Sequence, residues 1–185
     1  MAASSAGLGI ERALTPIETP IGEMVAAATK THLVLFEFGH RRMLPLQLQR
    51  LEAALGSELV AGDSPIIAQL RRELAEYFRG ERREFTVPLY APGTPFQMKV
   101  WDQLLRIPIG TTTSYSRVAS AIGQPNAVRA VARANGDNRI AILIPCHRVI
   151  GSDGSLTGYG GGLSRKKKLL DLEARATELQ LDLPS

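Results

Sequence analysis

Apolar residues first recur in two short runs, Met24–Ala28 and His32–Phe38, separated by the polar Thr29-Lys30-Thr31, and that alternation predicts a β-hairpin. Leu44, Leu48, Leu51 and Leu55 then fall on one face of a helix that stops at Gly56. A second helix is predicted from Asp63-Ser64-Pro65 to Gly80, turning Ile67, Leu70, Leu74 and Phe78 inward. Asp or Ser can cap its free N–H groups, and Pro suits its first turn. Phe85–Leu89 reads as an edge strand, because Pro88 has no N–H to give a central ladder. Ala91-Pro92-Gly93 is the strongest break in the pattern, dividing the chain into residues 1–91 and 92–185, with 1–13 read as a frayed tail.

Beyond the break the period is helical. Thr94-Pro95-Phe96-Gln97 has the form of a capping box, and the helix it opens is expected to bury Phe96, Val100, Trp101, Leu104 and Leu105. Two short helices follow, Tyr115–Ile122 closed by Gly123 and Ala127–Asn135 closed by Gly136, with Gln124-Pro125-Asn126 between them. That layout is a helix-turn-helix. Arg129 and Arg133 share one face of the second helix, and Ala127, Ala130, Val131 and Ala134 are assigned to the other. Such a basic face suits nucleic acid, and it equally suits the solvated side of an ordinary helix pair. Ile140–Ile144 reads as a buried strand. Val149-Ile150 and Leu156-Thr157 flank Gly151-Ser152-Asp153-Gly154 as a small hairpin or wing. After the glycine-dense Gly158-Tyr159-Gly160-Gly161-Gly162, Ser164 is expected to cap a last helix carrying Arg165, Lys166, Lys167, Lys168 and Glu173.

Composition narrows this picture. The 185 residues are 44% hydrophobic and 22% charged, a globular balance with room for one or two domains. No apolar run approaches the ~20 residues of a membrane span, so no membrane partner is expected. The first residues lack the basic start and apolar stretch of a secretory signal, and the chain has one cysteine. Both point to a reducing, cytoplasmic setting. The net charge of +4 is compatible with nucleic-acid binding without specifying it.

The lone cysteine, Cys146, lies in Ile144-Pro145-Cys146-His147-Arg148-Val149. A solitary cysteine is commonly a small buried hydrophobe, and His147 beside it could be an ordinary surface residue. For nucleophilic chemistry the thiol must lose its proton, which calls for a base or positive charge nearby; His147, Arg148 and Lys166 are candidates. Neighbouring side chains on a strand point to opposite faces, so a direct Cys146–His147 contact requires a bend. A bridging water would serve instead, with His147 held in one tautomer by a carboxylate such as Glu173.

The string Pro145-Cys146-His147-Arg148-Val149, followed by Gly151-x-x-Gly154 and Gly158-Tyr159-x-Gly161-Gly162, resembles the O6-alkylguanine-DNA alkyltransferases. The likeness runs from Thr94-Pro95-Phe96-Gln97-x-x-Val100-Trp101 through Ile107-Pro108-x-Gly110 and Ser114-Tyr115 to Leu169-Leu170-x-x-Glu173. It implies an α+β protein, a ribonuclease-H-like α/β domain followed by a winged helix-turn-helix-like domain. It implies a single-turnover transfer of an alkyl group from O6-alkylguanine, with O4-alkylthymine a further candidate, to Cys146. His147 would take the thiol proton through water and Glu173 would orient it. Asn138 would hold the active-site turn, Tyr115 would give a proton or hydrogen bond to the departing guanine, and Lys166 would lie near the thiolate. Arg129 would enter the base stack in the minor groove. Ala127, Ala130 and Ala132 would allow close approach, and Arg133 would add charge. Tyr159 and the Gly160 N–H would line the base pocket with Asn135 and Thr157. The carbonyls of Cys146 and Val149 would read the guanine amino group. No cofactor and no metal are implied, since His32 and His40 have no cysteine near them. The partner is double-stranded DNA, bound by a monomer, with cooperativity on DNA left open.

The chain departs from that pattern in three places. Arg139 stands where many relatives have proline, Asn135 where some have an apolar residue, and Thr157 where some have glycine or serine; the last is expected to narrow the pocket. Two other readings are a lesion sensor on the same scaffold, against which Cys146 itself argues, and a winged-helix regulator with a structural cysteine. A fragment of an adaptive-response regulator would need a cysteine-rich extension not seen here.

Overall fold

Three strands near the start, β1 (Ala13–Ile17), β2 (Met24–Ala28) and β3 (Leu33–Phe38), form an antiparallel meander, and β4 (Val60–Ala61) joins β1 in parallel. This computed structural model describes residues 13–181. The tail expected over 1–13 therefore lies outside the described residues except for Ala13, which is paired with Ala28 in β1. Sequence reading missed β1 because Pro16 interrupts a short run. The strand tolerates Pro16 because β4 pairs only with Ala13 and Leu14, leaving β1 an open edge at that point.

Every residue of β3 is buried. Leu33, Phe36 and Phe38 enter the main core, while Val34 and Leu35 pack with Leu44 and Leu51 of α1 (Leu44–Leu55). α1 ends, as its leucine spacing predicts, at Gly56, whose φ of 68° closes the helix. The second helix, α2 (Pro65–Phe78), is capped by the Ser64 hydroxyl, which accepts from the Ile67 N–H. Its fully buried aromatic residue is Tyr77, not Phe78, because the inward stripe steps from Leu70 through Glu73 and Leu74 to position 77. The strand expected at Phe85–Leu89 is reduced to one bridge, Leu89 against Leu33, since Pro88 contributes only its carbonyl.

In the second half α3 (Pro95–Leu104) starts with the complete capping box of Thr94 and Gln97. It buries Val100, Trp101 and Leu104, but Phe96 is half-buried and Leu105 is 49% exposed beyond the helix end. β5 (Thr113–Ser114) leads into α4 (Tyr115–Ala121), and α5 (Val128–Gly136) packs across both α3 and α4. α5 buries Val131, Ala134 and Asn135. Ala130, assigned by sequence to the inner side, shares the exposed face with Arg129 and Arg133. The wing is also simpler than expected. β6 (Val149–Ile150) pairs in parallel with β5, Leu156-Thr157 adds no strand, and the loop closes through Gly151 N–H to the Ser155 carbonyl. The last helix, α6 (Leu163–Leu181), begins one residue before Ser164, its first turn tied by the Lys166 N–H to the Gly162 carbonyl.

Ile140–Ile144 is a buried turn rather than a strand. Ile140 bridges to Phe36 of β3, with Phe36 N–H donating to Arg139 O at 2.8 Å and Ala141 N–H to Phe36 O at 2.7 Å. Ile142 then takes φ 71°, a left-handed conformation that is costly for a β-branched residue, and the Ile144 N–H returns to the Ile140 carbonyl. The edge of the first sheet thus carries the turn that delivers residues 145–148. Residues from both halves, among them Met24, Phe36, Tyr77, Trp101, Ile140 and Leu169, share one core. No helix among the described residues is long and apolar enough to cross a membrane.

Candidate active site

The reversing turn at Ile142 feeds directly into a single 3-10 turn, Cys146–Arg148, and so removes the strand geometry that would have held Cys146 and His147 on opposite faces. Asn138 locks this arrangement. Its amide Nδ2 donates to the Ile144 carbonyl at 2.9 Å and lies 3.1 Å from Cys146 Sγ, and its Oδ1 accepts the Ile140 N–H at 3.0 Å. An amide can give and take at once, which is why asparagine suits a turn that must present both groups. Asn135, the last buried residue of α5, donates to the Cys146 carbonyl at 3.3 Å.

Cys146 is 5% exposed. Burial pushes its thiol up to about 11, against the Asn138 hydrogen bond and the positive charges of Arg41 and Lys166. At neutral pH about one thiol in ten thousand would ionise unaided, so the site relies on a base rather than on a preformed thiolate.

His147 is fully buried, and its Nε2 lies 2.8 Å from Glu173 Oε1 on α6. Burial pushes the imidazole below its ordinary range. Burial alone would also raise the Glu173 carboxyl, but hydrogen bonds and charge from His147 and Arg148 outweigh it and hold the group at about 2. The pair is therefore a neutral imidazole beside a carboxylate. Nε2–H is then the donor to Glu173, and Nδ1 carries the free lone pair. Nδ1 is buried without a hydrogen-bond partner among the described residues.

Lys166 is buried, with Nζ donating to the carbonyls of Val149 and Thr157 at 2.6 Å each. Burial lowers its ammonium to about 8, while Cys146 acts in the opposite sense. Tyr115, at the start of α4, donates to the same Thr157 carbonyl at 3.3 Å. Gly158 permits this approach: its φ is +59°, and a Cβ there would stand 2.9 Å from the Tyr115 hydroxyl.

The second half of the site is a wall of residues 158–161 facing Cys146. Together with Glu37, Phe38, Arg41, Asn135 and Asn138 it encloses about 10 Å³, room for about one water. Tyr159 stacks edge-on against Phe38 and His147, and its hydroxyl is buried without a partner among the described residues. On the exterior, Arg129, Ala130 and Arg133 are exposed and Ala127 and Ala132 half-buried along α5.

Two family models match consecutive stretches of the chain: the 6-O-methylguanine DNA methyltransferase ribonuclease-like domain over residues 14–91, and the DNA-binding domain of the same family over residues 95–175. The constitutive methylated-DNA–protein-cysteine methyltransferase of Bacillus subtilis is 41% identical over 160 residues, covering 84% of this chain and 91% of that protein. The chain belongs to this methyltransferase family. A Mycobacterium bovis methylated-DNA–protein-cysteine methyltransferase is 55% identical over 111 residues, 60% of this chain and 67% of its own. Among solved structures, Mycobacterium tuberculosis OGT in complex with DNA superposes with a TM-score of 0.76 at 40% identity, covering 90% of this chain and 94% of that one.

In this methyltransferase-family chain the structure gathers Cys146, His147, Glu173, Asn138, Asn135, Lys166, Tyr115 and Tyr159 at one place, and leaves two of the sequence expectations reshaped. The Val149 and Cys146 carbonyls already accept Lys166 and Asn135. Thr157 is exposed, and its carbonyl accepts from Tyr115 and Lys166. Sequence reading missed three contributors. Glu37 and Arg41 form an ion pair behind Cys146, and Arg41 also donates to the Gly136 and Asn138 carbonyls. Nothing local in a strand-to-turn segment flags them. Tyr77 donates to Glu173 Oε1 at 2.8 Å, and the helical stripe of α2 could have singled it out.

Proposed function

We propose that this protein repairs DNA directly, transferring the alkyl group of O6-alkylguanine to Cys146 once per chain. The observation that carries the reading is the fixed tautomer of His147: Glu173 takes its Nε2–H, leaving Nδ1 as a buried lone pair on the residue adjoining the nucleophile. A water bridging Nδ1 and Sγ completes the proton path. The thiol proton passes to His147 as sulfur attacks the alkyl carbon. The carbon–oxygen bond breaks, its electrons go to the guanine, and Tyr115 supports the departing base by hydrogen bond or proton transfer. Asn138 and Lys166 favour the developing thiolate, and Asn138 also keeps Cys146 in register with the turn.

The O6 atom is sealed within the duplex, so the nucleotide must leave the stack at a cost of a few kcal/mol. Arg129 and Arg133, exposed on α5, and the small Ala127, Ala130 and Ala132 suit a helix laid in the minor groove, with Arg129 filling the gap. Because the space at Cys146 has room for only about one water, the wall of residues 158–161 has to shift to admit a base. Tyr159 and the Gly160 N–H then line the pocket. The protein acts as a monomer in the cytoplasm, with residues 1–91 supporting 92–185. O4-alkylthymine is a second substrate candidate.

The thioether formed on Cys146 is a poor leaving group, and the chain has no second thiol to resolve it. With excess duplex carrying O6-methylguanine, methyl transfer is expected to plateau at one per chain. Continued turnover contradicts the proposal, and so does undiminished transfer by Cys146→Ser.

A further inference from the structure

The first half of the chain reaches the carboxylate that orients His147. Tyr77, on α2, is 1% exposed, and its hydroxyl donates to Glu173 Oε1 at 2.8 Å across the junction between the two halves. That oxygen also accepts His147 Nε2 at 2.8 Å and Arg148 Nη2 at 2.9 Å, while Oε2 accepts Arg148 Nε at 2.8 Å. Arg148 is itself pinned, its Nη1 donating to the Ile107 carbonyl at 2.6 Å. The carboxylate that orients His147 therefore has a full ring of donors, and one of them comes from the ribonuclease-like half.

We infer that Tyr77 is a positioning residue for alkyl transfer, tempering the Glu173 carboxylate so that His147 stays a neutral base. This rests on the reading of His147 as proton acceptor given above. Each donor on a carboxylate oxygen disperses its negative charge and weakens its pull on the others. Three donors share Oε1, so Tyr77 competes directly with the His147 N–H. Remove the phenol, and Oε1 attracts the imidazole proton more strongly. The imidazolium then gains stability, and the free Nδ1 lone pair is lost at a higher pH. Burial holds the phenol well above its ordinary range, with Glu173 reinforcing the effect, so Tyr77 remains a donor throughout the working range. The other groups facing this cluster are Arg148 and Lys166, both disfavouring a charged His147, and the ring of Tyr159. None of them takes the place of a donor on Oε1 from the α2 side.

A packing role alone would look different. Tyr77 also sits against the rings of Phe78 and Phe85, each at 5.3 Å between centroids. Tyr77→Phe keeps those contacts and removes only the donor, whereas Phe85→Leu loosens the packing and keeps the donor.

The test is the pH dependence of single-turnover methyl transfer from an O6-methylguanine duplex, with the His147 ring nitrogens titrated by ¹⁵N NMR in the same full-length proteins. Tyr77→Phe is expected to move the acid limb of the rate, and the His147 titration with it, up by roughly half a pH unit or more. Phe85→Leu is expected to leave both in place. Should Tyr77→Phe not fold, 3-fluorotyrosine at position 77 keeps the ring and strengthens the donor, and both readouts are expected to move down. Superimposable profiles for wild type and either Tyr77 variant overturn the inference. A wild-type protein that transfers no methyl overturns the proposed function instead, while the NMR titration still reads the Tyr77–Glu173–His147 coupling.

Discussion

Among individual residues, Asn138 holds the greatest share of the site. It satisfies the Ile144 carbonyl and the Ile140 N–H while touching Sγ, so truncation leaves buried backbone groups unpaired as well as removing a donor from the thiol. Asn138→Ala is expected to lower stability by about 2 kcal/mol and to slow transfer at least tenfold, measured by denaturant unfolding and quenched-flow transfer. Legibility in the sequence was uneven at this scale. Cys146, His147 and Glu173 were readable because each is a reactive or hydrogen-bonding type inside a family string, and Asn138 through the role that the resemblance implies. Glu37 and Arg41 were not, because they meet the site only when β3 folds beside the Ile140–Ile144 turn. The Thr157 carbonyl, which Tyr115 and Lys166 both use, was hidden for a related reason: a backbone group carries no residue-type signal.

At the scale of elements, α2 and α3 announced themselves through caps, whereas α6 begins one residue before the Ser164 expected to cap it. Ser64 before α2 and the Thr94–Gln97 box before α3 lie where the sequence placed them. Among strands, the β2–β3 hairpin lies where the apolar runs placed it, but other extended segments do not. Ile140–Ile144 has the composition of a buried strand, and only its docking on the edge of β3 and the left-handed Ile142 turn it into a reversal. β1 was hidden by Pro16. The exposed arginine face of α5 makes a prediction separable from the chemistry. Arg129→Ala is expected to slow transfer from duplex DNA at least tenfold and to leave alkylation of Cys146 by a free O6-alkylguanine base unchanged, because the free base needs no extrusion. Equal losses on both substrates would place Arg129 in the reaction itself. Binding to undamaged duplex should weaken with rising salt, and less steeply in Arg129→Ala or Arg133→Ala, as expected when each arginine neutralises a phosphate.

For the whole molecule, the two matched halves share one core and meet at the carboxylate of Glu173, which couples folding to acidity. A carboxyl held at about 2 rather than 4.5 contributes about 3 kcal/mol, present above the ordinary carboxyl range and lost as pH falls toward 2. His147 works in the same direction from higher pH. Its folded-state value is depressed, so below about 6.5 the unfolded chain takes up a proton that the folded one refuses. Unfolding free energy from denaturant titrations is expected to decline steadily from pH 7 to pH 4, and the decline above pH 5 should flatten in His147→Asn. That coupling supplies a reason for the ribonuclease-like half to be more than a scaffold. The central claim, however, is the fate of one sulfur. It is tested most directly by the intact mass of the protein after incubation with an excess of O6-methylguanine duplex, followed by peptide mapping. The account predicts that every active chain gains the mass of one methylene, located on the peptide containing Cys146; an unchanged mass with the lesion intact, or a methyl found on any other residue, would contradict it.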